Sequence, residues 1–164
     1  MAKKCVVIRE LPSQNAVDYR FAVMANDIEN GHVVGLKNLK ENERDLWIAE
    51  APTAAANLWL VTGVELMYQE APLKSAADYI NETGHPFRVE RVLAGGIYAI
   101  STEGLTIAKE DTDLKVGSVV TFDSGAHKLT VAASASSNVV GKVIDIYTKA
   151  GQKFVAIEFA KAAA

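Results

Sequence analysis

From Phe87 onward, apolar and polar positions alternate with a period of two, in short runs separated by turn residues. The runs are 87–93, 97–101, 116–122, 127–133, 139–147 and 153–159. Val116, Val120 and Phe122 share one side of a strand, and Leu129, Val131 and Ala133 share a side of the next. Between them Asp123-Ser124-Gly125-Ala126 supplies residues suited to a tight turn. Gly95-Gly96 breaks the chain between two earlier runs. In Thr148-Lys149-Ala150-Gly151-Gln152, Gly151 can take the positive φ that a short hairpin loop with a bulge needs. Strands at this spacing predict a small barrel or sandwich.

Before Phe87 the pattern is less regular. Strands are predicted at 5–8 and 19–24; 28–36 contains Asn30-Gly31, a strong turn signal, and 46–48 and 58–61 are apolar runs bracketing an Ala-rich segment. Residues 38–45 form a solvated, charged stretch. A two-turn helix is predicted from Pro72, with Leu73, Ala76, Ala77 and Ile80 on one face and Thr83-Gly84 as its stop. The expected fold is mainly β: a small β-barrel or β-tulip/sandwich with one short helix and an N-terminal arm or lobe. Residues 1–72 read as the arm and β lobe, and 73–164 as a barrel-like body led by the helix. The two parts could equally be one continuous domain.

Hydrophobic residues make up 49% of the 164, enough to bury a substantial core. The net charge is -3, and neither half is basic: eight basic and twelve acidic residues to Gly84, nine and eight after it. A protein that grips nucleic acid by neutralising many phosphates would not look like this. The single cysteine, Cys5, cannot form an intrachain disulfide and reads as a packed small hydrophobe. The apolar run at 5–8 is too short for a signal-peptide core or a membrane span, so a soluble protein made in the cytoplasm is expected. The sequon Asn81-Glu82-Thr83 reads as chance in that setting.

One phrase looks catalytic. Val119-Val120-Thr121-Phe122-Asp123-Ser124-Gly125-Ala126 resembles the active-site signature of retroviral-type aspartic proteases, and Val139-Val140-Gly141 echoes their second element. Such enzymes dimerise so that two aspartates share a proton. Only the fifteen residues 126–140 separate Gly125 from Gly141, which leaves no room for a substrate-covering flap, and Asp-Ser-Gly is ordinary turn chemistry. His32, His85 and His127 lack partners at metal-ligand spacing and read as loop or strand-surface residues. Glu110, Asp111 and Asp113 lack the calcium-loop pattern. No catalytic, cofactor or metal site is therefore expected. Trp47, Trp59 and Tyr68 are either core residues or anchors for a protein partner. Lys3 and Lys4, with the adjoining strand, form a second candidate contact arm.

A family likeness runs through the second half. It begins at Asn81-Glu82-Thr83-Gly84-His85-Pro86-Phe87-Arg88 and continues through Gly95-Gly96-Ile97-Tyr98-Ala99-Ile100-Ser101. Leu114-Lys115-Val116-Gly117-Ser118-Val119-Val120, Val140-Gly141-Lys142-Val143-Ile144 and Phe154-Val155-Ala156-Ile157-Glu158 complete it. In pattern and phrase order this resembles the capsid decoration, or cement, proteins of tailed bacteriophages. The resemblance implies a non-enzymatic virion protein, made in the bacterial cytoplasm, that binds the outside of the major capsid protein lattice as a dimer or trimer. It implies no membrane, nucleic-acid or cofactor partner. Alternative readings are a tail or other virion component, a nucleic-acid-binding barrel module, and a retropepsin-like protease.

Overall fold

The computed structural model describes residues 4–9, 18–63, 79–135 and 137–160. The chain is mainly β. Its strands are β1 (Val7–Arg9), β2 (Tyr19–Val23), β3 (Val33–Leu39), β4 (Leu46–Glu50), β5 (Trp59–Val61) and β6 (Phe87–Arg91). They continue with β7 (Ile97–Ser101), β8 (Leu105–Ile107), β9 (Val119–Phe122), β10 (Leu129–Ala132), β11 (Val139–Lys149) and β12 (Gln152–Phe159). Five of them close a barrel in the order β2-β4-β3-β5-β6, and seven form a sheet in the order β1-β7-β12-β11-β9-β10-β8. Pairing is antiparallel except for β2 with β4 and β8 with β10.

The closed barrel therefore occupies residues 19–91, whereas the sequence pattern placed barrel closure in the second half. The reason is physical: closure depends on β2 meeting both β4 and β6 across long stretches of chain, and no local periodicity carries that information. The helix expected from Pro72, and the division at residue 72, lie outside the described residues. Among the described residues the α-helix is the four-residue Glu110–Asp113, in the stretch read from sequence as an acidic loop.

Alternation along β3 and β5 joins the two sheets. Val34, Leu36, Trp59 and Val61 point into the barrel core with Ala22, Met24, Ile28, Phe87 and Val89. Their neighbours Val33, Leu58 and Leu60 point the other way, into the core of the seven-stranded sheet with Ile100, Val155, Ile157 and Phe159. These barrel strands are apolar on both faces, as strands buried on both sides must be. The loop between β9 and β10 adds a polar tie: the Val33 N–H donates to the His127 carbonyl at 2.7 Å, and the Gly125 N–H to the Pro52 carbonyl at 3.0 Å.

The β11–β12 hairpin turns on Ala150 and Gly151 alone, with Lys149 opposite Gln152. Both turn residues have positive φ, 50° and 75°, the geometry whose twist matches antiparallel strands. The bulge expected at this loop lies instead within β11, between Val143 and Asp145.

Candidate functional site: an aromatic stripe on the barrel wall

Alternation in β2 splits Tyr-Arg-Phe-Ala-Val between two environments. Ala22 is fully buried in the barrel, while Tyr19 and Phe21 stand outside at 58% and 47% exposure. Their rings meet edge to face, 6.2 Å apart and 87° between planes, so each limits the other's motion. The parallel register sets Phe21 beside Leu46 and Val23 beside Ile48, which is itself 40% exposed. The result is an apolar stripe across β2 and β4, carried on a closed barrel rather than on a loop.

Charged pairs border the stripe. Arg88 lies opposite Phe21 in the β2–β6 register and pairs with Glu90 at 3.5 Å. On the far side Lys37 pairs with Glu50, also at 3.5 Å. Asp18, just before β2, sits 3.9 Å from Arg91 and from Arg20, whose guanidinium lies on the other face of β2 from Tyr19 and Phe21. An apolar centre with a polar rim is the anatomy of a protein–protein contact.

The two tryptophans, read from sequence as core residues or partner anchors, are brought together inside the barrel. The Arg20 guanidinium lies 4.4 Å from the ring of Trp47 and 4.8 Å from that of Trp59, a cation held between two π faces. Trp59 is buried, and its indole N–H donates to the Asn57 Oδ1 at 3.0 Å. Trp47 is half-buried against the same core. Lys4 is tied to Glu29 by an ion pair of 3.2 Å, and its short strand joins the protein's own sheet beside β7. Lys3 and Tyr68 lie outside the described residues. The outward aromatics were missed because Tyr19, Phe21 and Val23 form the apolar face of the strand and Arg20 marks the opposite face as the one that meets water.

The catalytic-looking phrase resolves as the β9–β10 turn. Asp123 is exposed, its Oδ2 accepts from the Thr130 hydroxyl at 2.8 Å, and the Ala126 N–H donates to its carbonyl. Among the described residues no group of three or more His, Cys, Asp or Glu could hold a metal ion, and no helix is long and apolar enough to cross a membrane. A cleft of about 420 Å³ lies between barrel and sheet, lined by Val7, Asn30, Gly63, Arg88, Glu90 and Tyr98. Its polar groups bond within the protein: the Tyr98 hydroxyl donates to Glu90 at 2.9 Å, and Arg88 Nε to the Thr62 carbonyl at 3.1 Å. Asn81, of the sequon, is buried with its Nδ2 donating to the Ile28 carbonyl, so it is no glycan acceptor in the folded chain.

Neither family models, nor curated proteins, nor solved structures gave a match to this chain.

Proposed function

We propose that the protein is a non-enzymatic virion component of a tailed bacteriophage that stabilises the capsid by binding the outside of the major capsid protein lattice. The observation that carries the contact is the stripe of Tyr19, Phe21, Leu46 and Ile48 on a rigid wall. The likeness of the second half to decoration proteins supplies the partner. Binding across neighbouring capsid subunits stabilises the assembled state by mass action, because that composite site does not exist in the free subunits. Many copies per shell allow each contact to be modest. Self-association into dimers or trimers would set several stripes around one lattice axis.

Two measurements test this reading. Cryo-EM of the parent virion should show density for the chain on the head exterior; density confined to the tail, or none, sinks it. The double variant Tyr19→Ser, Phe21→Asp should bind undecorated heads at least about 30-fold more weakly, as loss of a central aromatic hot spot does. Its unfolding midpoint should stay close to the parent's, since both side chains are exposed.

A further inference from the structure

At the junction of barrel and sheet, charged and polar groups from four parts of the chain converge on the N-terminal segment. Glu29, just before β3, accepts from the Cys5 N–H at 2.9 Å through Oε2 and from Lys4 Nζ at 3.2 Å through Oε1. His32 follows three residues later, and its Nε2 is sealed from solvent with no hydrogen-bond partner. Across the junction stand His127, whose Nδ1 meets the Val33 carbonyl at 3.0 Å, and Lys128, whose Nζ donates to the Glu103 carbonyl at 2.7 Å. Glu103 Oε2 is likewise buried without a partner. A buried polar atom left unpaired is costly.

We propose that His32 and Glu29 form an acid-labile latch, in which protonation of His32 draws Glu29 away from Cys5 and Lys4 and frees residues 4–9 from the edge of the sheet. A proton on Nε2 needs an acceptor. The cations Lys4 and Lys128 cannot accept it, and Glu29, the nearby anion, has both oxygens engaged. The N-terminal segment is the element that yields. Apart from Glu29 it is held by a three-residue edge ladder, by reciprocal contacts of Val6 with Ser101 and by Gln152 on the Lys4 carbonyl. The barrel side is anchored more firmly, through Asn30 and Asn81.

The direction follows from linkage. Burial pushes the His32 imidazole down to about 4, against the opposing pull of Glu29 and with further lowering from Lys128, His127 and Lys4. Between pH 6.5 and about 4 the open form therefore binds more protons, so the latch is fully closed above pH 6.5 and weakens as pH falls through this window. Burial works against the charge on Glu29, but the Cys5 N–H and Lys4 hold its carboxyl below the usual range.

Cys5 makes the opening measurable. It is 1% exposed, and burial pushes its thiol up to about 12. It fills a slot whose walls are Gly31 and Gly104: a Cβ on Gly31 would lie 2.6 Å from the sulfur, and one on Gly104 would overlap it. It is also the sole thiol in the chain. The experiment is the rate of labelling by 4,4′-dithiodipyridine, which reacts in acid, divided by the rate for the unfolded chain at the same pH. Protection of Cys5 should fall about tenfold or more between pH 7 and 4.5 while tryptophan emission from the barrel stays constant. The neutral variant His32→Gln should keep its protection flat across that range. Unchanged protection in the parent, an equal fall in His32→Gln, or loss of barrel fluorescence together with protection would each overturn the latch. If His32→Gln does not fold, the parent decides by NMR: the His32 ring titration and exchange of the Cys5 and Val7 amides must share one midpoint, and separate midpoints refute the proposal.

Discussion

Phe159→Ala should cost about 3–5 kcal/mol of unfolding free energy, the range for deleting a buried aromatic side chain. Phe159 is 1% exposed at the end of β12, with its ring 6.0 Å from that of Tyr98 in an edge arrangement. The backbone around it is fixed on both sides, by the Gly95 N–H to its carbonyl and its own N–H to the Gly96 carbonyl. The surrounding strands cannot collapse into the space, so the cavity term persists. The effect also travels. Tyr98, released from Phe159, holds the buried Glu90 of the barrel through its hydroxyl, so a truncation in the sheet loosens the barrel. Urea unfolding followed by tryptophan fluorescence, which reports only the barrel, and by far-UV circular dichroism, which reports both parts, should shift together. A loss under about 1 kcal/mol, or two separated transitions, would contradict the shared core.

Asn30→Ala should be nearly as damaging, by about 3 kcal/mol, for the opposite reason: it removes polar partners rather than apolar volume. Asn30 is 2% exposed. Its Oδ1 accepts from the Gly63 N–H at 2.8 Å and from Asn81 Nδ2 at 3.1 Å, while its Nδ2 donates to the Gly63 carbonyl at 3.0 Å. Alanine strips both backbone groups of Gly63 at once and leaves Asn81 one acceptor short. Asn30→Asp, nearly isosteric, sets a carboxylate against the Gly63 carbonyl and should fail to rescue stability. If equilibrium unfolding shows Asn30→Asp as stable as the parent, the donor role assigned to Nδ2 is wrong.

Asn30 also shows what the sequence discloses and what it does not. Asn-Gly announced a turn, and the turn is there, with Gly31 at φ 82°. That the asparagine amide would close onto Gly63, thirty-three residues away, has no local signature. The strands of the second half were legible because short β-branched and aromatic runs are bounded by turn residues; Ile97–Ser101, though buried on both faces, matches its predicted run residue for residue. Leu105–Ile107 escaped notice because three residues cannot display a period, and its pairing to β10 is parallel and distant. Arg20 misleads in another way. An arginine in a strand reads as a marker of the solvent face, yet this one lies between Trp47 and Trp59, so the face with the charge is the inner one. Of the two readings of Trp59, core residue or partner anchor, its burial in the barrel fits the first, and the aromatic rings exposed on the outside are those of Tyr19 and Phe21.

The route of the chain has a consequence for how such a molecule could arise. Arg9, the last residue of β1, lies directly beside Tyr98, near the start of β7. The two strands are thus the arms of an antiparallel hairpin whose connection has been replaced by the whole barrel. Viewed this way, the barrel is cargo spliced into a loop, and the sheet is the host that tolerates it. Excising the barrel and rejoining Arg9 to β7 through a few residues would restore a simple hairpin, provided the face once covered by Val33, Leu58 and Leu60 were recoded as polar. Recognition and scaffold could then change independently, one by exchanging the insert and the other by tuning the host.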